Sequence, residues 1–388
     1  MSPIQLAAVL AAVVLLASML SVELGVTVAL LELTLGVVVG NVFRVHSADW
    51  LDFVAKFGSI VLTFLAGVEV DPVYMRDRAR AAVGIGIVSF AGPFAVASLT
   101  AHLLIGWTLK ASLIAGTALS TTSLAVVYAV LVERGLNTSS VGKLLMSATF
   151  VTDLCTALAL SAIFVKPNAW FPIFLVVSLG LILALPKLAP PFFRRYGDRV
   201  IEPEIKLVFV ALLLLMVLAD ASNGHAVLPA FILGLVMSRH YDEHRQEQQR
   251  LRVVAFAFLT PFFFLKGGLN VSLGAVFSNL GLLGILLLTK MVPKVAVVYP
   301  LARRAIPRHA TFTTLLMSTG LTFGTIASLY GLTAHIVDKT QFSLLITVVV
   351  LSAVVPTAIA ERWFLPDREE EQRRDEAMRA PVPAEELV

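Results

Sequence analysis

Thr149, Thr152, Asp153 and Thr156 fall within an otherwise apolar run, Leu144 to Val165. At 100° per residue they share one face of a helix. A carboxylate set among hydroxyls offers hard oxygen donors to a small cation, and the same carboxylate can hold a proton instead. A helix of this length spans a bilayer core, where a central acid costs about 2.5–3.5 kcal/mol on insertion scales. An acid kept at that cost reads as functional, and the stripe reads as an ion site.

The rest of the chain has to position that carboxylate in lipid. Of the 388 residues, 58% are hydrophobic and 14% charged, with a mean hydropathy of +0.87. A soluble domain carries about 25% charged residues, so this is an all-α polytopic membrane protein with no soluble domain left over. The single cysteine, Cys155, excludes an internal disulfide framework and a Cys-rich metal cluster. The slight basic excess is that of cytoplasmic loops and does not imply a nucleic-acid partner. Residues 2–20 lack a basic n-region and run into a second apolar stretch, so they are expected to form the first span.

Thirteen spans are expected: about 3–20, 24–42, 51–69, 82–106, 111–132, 141–165, 170–189, 205–220, 225–238, 251–268, 274–300, 310–331 and 340–364. Sorting Lys and Arg between alternate loops places 22 on the side of the C-terminal tail and 4 on the other. The tail is therefore expected in the cytoplasm and the N-terminus outside, in a cell inner membrane. Lys56, Lys266, Lys290 and Lys294 fall within spans or at their ends. The charged tail, 367–388, is expected to be disordered.

Two echoes suggest a duplicated core. Phe64-Leu65-Ala66-Gly67 is answered by Phe264-Leu265-Lys266-Gly267, and the hydroxyl-rich stretch Gly116 to Ser123 by Ser318 to Thr325. An odd number of spans separates the copies, so they lie inverted in the membrane. Both hydroxyl-rich stretches sit mid-span, where glycine and β-branched residues weaken a helix. A break there presents carbonyls, N–H groups and opposed dipole ends at the midplane. The alternative is a pair of intact helices whose Ser and Thr bond to their own backbone.

On these residues the sequence resembles the monovalent cation:proton antiporter superfamily, especially sodium/proton antiporters of the NapA and Kef types. Glu32 to Gly40 is similar to the family's Gly-Glu-x-x-x-Gly-x-x-x-Gly helix, with Leu31 in place of the first glycine. Phe64 to Glu69 resembles its Phe-x-x-Gly-x-Glu, Gly116 to Glu133 its first broken helix, and Pro261 to Phe264 its Pro-x-Phe-Phe turn. Thr152-Asp153 occupies the place of an acidic pair. The resemblance covers the chain to about residue 364 and implies a fold with inverted repeats and two broken, crossing helices.

The resemblance further implies a homodimer in which a core domain (about 51–165 and 274–364) moves against a dimerisation domain (3–42 and 205–268), joined by a linker helix (170–189), all within 1–366. Two departures stand out. Thr152 replaces the first acid, and Thr319-Gly320-Leu321 stands where this branch often has Arg-Gly-Glu. Both remove ionisable groups from the core.

Proton and cation competing for one carboxylate suffice to couple two gradients. With Asp153 binding Na⁺ or H⁺, the expected shell adds Thr152, Thr156, Ser120, Thr121 and carbonyls of the broken helices. Those helices are expected to carry Thr122, Ser123, Ser318, Thr319, Gly320 and Thr322 at or beside their breaks. Lys290 sits mid-span where the family places a lysine; with Thr152 in place of the first acid it pairs with Asp153, contacts a helix end or is neutral. Lys294, one turn on, is expected to snorkel towards the cytoplasm. Glu32 suits a structural hydrogen bond as well as a transport role, and Glu69, Asp71, His102, Asp220 and His225 lie near span ends.

The leading expectation is exchange of Na⁺, Li⁺ or K⁺ for H⁺, electroneutral because there is one acid, with no cofactor. The alternative on the same fold is a Na⁺-coupled symporter of an organic anion, similar to bile-acid transporters. A channel would need a filter-like carbonyl repeat, and an enzyme a catalytic motif; the sequence has neither.

Overall fold

A computed structural model of the chain describes residues 2–367, apart from 26, 44, 46–47, 70–78, 137–138, 164–167 and 198. The tail expected to be disordered, beyond residue 367, and Asp71 therefore lie outside the described residues. Among those described the fold is helical throughout. The helices are α1 (Pro3–Leu24), α2 (Val28–Val42), α3 (Asp49–Val68) and α4 (Ala79–Leu104, its last turn π-wound). Next come α5a (Leu109–Ser120) with α5b (Leu124–Glu133), α6 (Ser140–Ile163), α7 (Phe171–Tyr196), α8 (Pro203–Ala221) and α9 (Val227–Glu243). The chain ends with α10 (Arg245–Leu269), α11 (Leu280–Ala305), α12a (Ala310–Met317) with α12b (Thr322–Thr333), and α13 (Lys339–Trp363). Counting each broken pair once, these thirteen helices fall on the expected spans; a short helix, Leu273–Ser278, precedes α11 within the expected span 274–300.

Local sequence sets the ends. Ser2 and Gln5 form a capping box on α1, and Gly25, at φ 62°, closes it in the left-handed region. Asp338 and Gln341 form the equivalent box on α13. Lipid exposure sorts the helices. The most apolar windows of α1 and α7 are only 17% buried, whereas those of α6 and α12 are 67% and 83% buried. The polar residues that need protein around them are on the helices that receive it.

Two packed groups meet around α6. Helices α4, α5, α6, α11, α12 and α13 share apolar clusters, and α3, α7, α8, α9 and α10 share another; the central cluster also takes in Leu33 of α2, Leu62 of α3, Phe231 of α9 and Phe263 of α10, where the groups meet. Helix α3, grouped with the core by sequence, packs on α9 and α10. Its Gly67 presses against α9, where a Cβ would stand 2.2 Å from Phe231 O, and Gly234 of α9 presses back, 2.0 Å from Phe64 O.

The same crossing recurs between α2 and α10. A Cβ on Gly268 would stand 2.1 Å from Leu33 O, and one on Gly36 2.5 Å from Leu265 O. The duplication is thus real in three dimensions. Its register is Gly67 with Gly268 rather than with Gly267, one residue from the sequence match, because close approach selects the glycine that faces the neighbour and not its chain neighbour.

Candidate functional site

Asp153 lies on α6, 2% exposed, with Thr149, Thr152 and Thr156 fully buried beside it. The stripe does not face one neighbour. Gly86 brings α4 so close that a Cβ there would stand 2.5 Å from Val151 Cβ, and its carbonyl accepts from Thr152 Oγ1 at 3.3 Å. Thr152 also donates to Ala148 O at 3.0 Å, Thr156 donates to Thr152 O at 2.9 Å, and Thr149 Oγ1 meets Met317 Sδ of α12a at 3.6 Å. The hydroxyl protons are committed to backbone and sulfur, leaving oxygen lone pairs. Asp153 Oδ1, enclosed by protein, has no hydrogen-bond partner among the described residues.

The two breaks lie beside this carboxylate. Helix α5a stops at Ser120, and Thr121 turns extended at ψ 154°. Ser123 restarts the chain by accepting from Val126 N at 3.4 Å. Opposite, α12a stops at Met317 and α12b begins at Thr322, so Ser318, Thr319, Gly320 and Leu321 form the second break. The sequence echo paired Gly116 with Ser318. In space residues 121–123 correspond to 318–321, a slip of about one turn, because hydroxyl-rich composition extends into the flanking helix ends. The breaks interlock: Thr122 Oγ1 donates to Met317 O at 2.8 Å, and Gly320 approaches so closely that a Cβ would stand 2.9 Å from Thr121 Oγ1.

The exposed carbonyls of α5a are taken by α11. Lys290 Nζ donates to Leu119 O at 3.0 Å and Thr121 O at 3.2 Å, and Lys294 Nζ to Ser120 O at 2.6 Å and Thr121 O at 2.8 Å. Two ammonium groups, each fully buried, therefore close the negative end of a half-helix dipole. Lys294 does not snorkel: the carbonyl cluster outcompetes water within reach. Lys290 contacts the helix end, one of the three expected outcomes, and neither lysine forms an ion pair with Asp153 among the described residues. The i, i+4 spacing of the lysines was the sequence signal for a shared target.

The α12a end is closed without charge. Ser318 and Thr319 donate to Thr314 O and Leu316 O at 2.7 and 2.8 Å, and Ser352 Oγ of α13 lies 3.4 Å from Gly320 O. Farther out, a cavity of about 500 Å³ separates the two packed groups, lined by Leu160, Ile326 and Tyr330 on one wall and Lys56, Phe263 and Lys266 on the other. Ion pairs at the cavity, Lys56–Asp220 at 2.7 Å and Lys266–Asp52 at 2.9 Å, neutralise its charges. Glu69 pairs with Arg252 at 3.0 Å, and Glu32 is buried in α2.

A broken-helix crossing around one buried acid narrows the comparison to transporters. The family model for the transmembrane sodium/hydrogen exchanger matches residues 8–364. The chain belongs to the sodium/hydrogen exchanger family. Among its relatives, the probable Na(+)/H(+) antiporter 3 of Methanocaldococcus jannaschii is 27% identical over 270 residues, 66% of this chain and 68% of that protein. Cation/H(+) antiporter 18 of Arabidopsis thaliana is 25% identical over 84% of this chain and 43% of its own length, and the putative Na(+)/H(+) antiporter YjbQ of Bacillus subtilis 22% identical over 91% and 61%. The chain thus spans 43% to 68% of the length of these relatives. The sodium proton antiporter MjNhaP1 of M. jannaschii shares the fold, with a TM-score of 0.70 at 12% identity, covering 98% of this chain and 100% of that one.

Within this exchanger fold the site offers one ionisable acid and hydroxyl oxygen lone pairs from Thr152 and Thr156, beside two helix breaks whose carbonyls already accept hydrogen bonds. Its two cations are fixed to backbone. Chemically, a buried carboxylate in this setting can hold a monovalent cation or a proton.

Proposed function

We propose that this exchanger trades a monovalent cation, Na⁺, Li⁺ or K⁺, for H⁺ at Asp153, one for one, without a resident cofactor. The observation that carries the reading is Asp153 itself, a buried carboxylate with an uncommitted oxygen at the crossing of two broken helices. The proposed shell uses Asp153 with oxygens of Thr152, Thr156, Ser120 and Thr121. The lysines support the electroneutral count: held by helix carbonyls rather than paired with Asp153, they leave that acid as the group on which cation and proton alternate. They also disfavour the organic-anion alternative, since neither ammonium is free to receive a carboxylate.

The packing supports alternating access by two bodies, α4–α6 with α11–α13 moving against α1–α3 with α8–α10. In this division α3 travels with α9 and α10, and α7 is the linker. A homodimer follows from the family resemblance, and the exposed Leu15, Met19 and Val22 of α1 suit burial in lipid or against a second copy. The proposed location is the cell inner membrane, with the C-terminus cytoplasmic by the charge asymmetry of the loops.

The test is ΔpH-driven Na⁺ flux in proteoliposomes with a clamped membrane potential. Asp153→Asn is expected to reduce flux to background, and wild-type flux is expected to be indifferent to the clamp. A flux whose direction reverses with potential overturns the one-for-one count. Retained flux in Asp153→Asn overturns the assignment.

A further inference from the structure

The cavity lies to one side of Asp153, which is not itself part of the lining. On α6 its wall is Leu160, on one side of Asp153 in the chain; on α12b it is Ile326, Leu329 and Tyr330. On the other side of Asp153 comes Phe150, and at the first turn of α12b comes Phe323. Both meet one side chain of the opposite body, Phe231 of α9. Phe231 stacks on Phe150 with centroids 5.3 Å apart and interplanar angle 15°, and meets Phe323 edge-on at 6.0 Å and 79°. Phe231 and Phe323 are fully buried and Phe150 is 4% exposed.

The backbone beneath Phe231 is closely packed. It lies at the Gly67–Gly234 crossing, where α3 leaves no room for a Cβ against Phe231 O. Its ring is thus anchored to the α3–α9 pair, whereas Phe150 rides on the helix that carries Asp153 and Phe323 on the half-helix that leaves the second break. Any displacement of one body against the other must part these two ring contacts. No polar atom in the three side chains supports a file of water or a hydrated ion.

We propose that Phe231 is the gate on the closed side of the exchange site, a fixed aromatic stop against which Phe150 and Phe323 close when the cavity side is open. The proposal rests on the alternating-access reading for its motion, while the seal itself is a property of the packing. It assigns to Phe231 a positioning role: it separates Asp153 from one aqueous face and touches no transported ion.

The test uses a reporter cysteine, Thr149→Cys, in a Cys155→Ala background. Thr149 lies on the Asp153 face of α6, beyond the seal as seen from the cavity. A membrane-impermeant cationic thiol reagent is applied to the membrane face that carries the α6 C-terminus, Ile163, the side on which the cavity lies. Labelling is expected to be slow with Phe231 in place, at least about tenfold faster in Phe231→Ala, intermediate in Phe231→Leu, and slow again in Phe231→Trp. A second readout is Na⁺ leak at equal pH, expected in Phe231→Ala and absent in Phe231→Trp. Unchanged labelling in both Phe231→Ala and Phe231→Leu, in protein that elutes as wild type on size exclusion, overturns the gate. If Phe231→Ala fails to fold, Phe231→Leu alone decides by the same rate. Labelling requires no exchange, so a failure of the one-for-one reading leaves this outcome legible.

Discussion

Asp153 and the two lysines divide the electrostatic work of the site. Deleting an ammonium that closes a helix end leaves a buried carbonyl without a donor, at a cost of about 1–3 kcal/mol. Lys294→Met strips Ser120 O of the donor at 2.6 Å, so thermal unfolding in detergent is expected at a lower temperature than for wild type. Lys290→Met is expected to act in the same direction through Leu119 O. A double-mutant cycle separates this role from pairing with the acid. The stability loss from Lys290→Met is expected to be the same within about 0.5 kcal/mol in the Asp153→Asn background, as for sites without a shared contact. The charges themselves were plain in the sequence, since lysines and an acid in apolar spans stand out. Which carbonyls the lysines reach was not, because that depends on where another helix stops.

At the scale of elements, the glycine crossings hold α2 to α10 and α3 to α9. Gly67→Ala and Gly268→Ala each drive a methyl into backbone that cannot turn aside, and overpacking of this kind costs about 1–3 kcal/mol. Gly284→Ala on α11, where nothing stands within 4 Å, is the control. The two crossing variants are expected to lower the unfolding temperature while the control leaves it unchanged or raises it, as measured by fluorescence of the solubilised protein. The breaks in α5 and α12 were legible as hydroxyl-rich, glycine-bearing stretches at mid-span. Their limits were not: Ser120 and Thr322 share that composition yet belong to helices, since the chain breaks where Lys294, Thr122 and Ser352 supply partners for the freed carbonyls.

For the whole molecule, the proposed sharing of one carboxylate by two ions makes competition the expected governing behaviour. Apparent KM for Na⁺ is expected to rise with proton concentration, approaching tenfold per pH unit in the acid limit by linkage, with maximal rate little changed. Na⁺ flux in proteoliposomes over a pH series checks this, and a KM independent of pH would point to separate sites. Length and apolar runs alone determined an all-helical protein of many membrane-spanning helices, and one expensive acid marked the candidate site. These signals survive in one dimension because lipid imposes them on each helix separately. Tertiary structure decided the side on which α3 packs, the true register of the repeat, the direction in which Thr152 points and the helix end that Lys294 reaches. Each depends on close approach between helices far apart in the chain, and a displacement of one residue changes the neighbour a side chain meets.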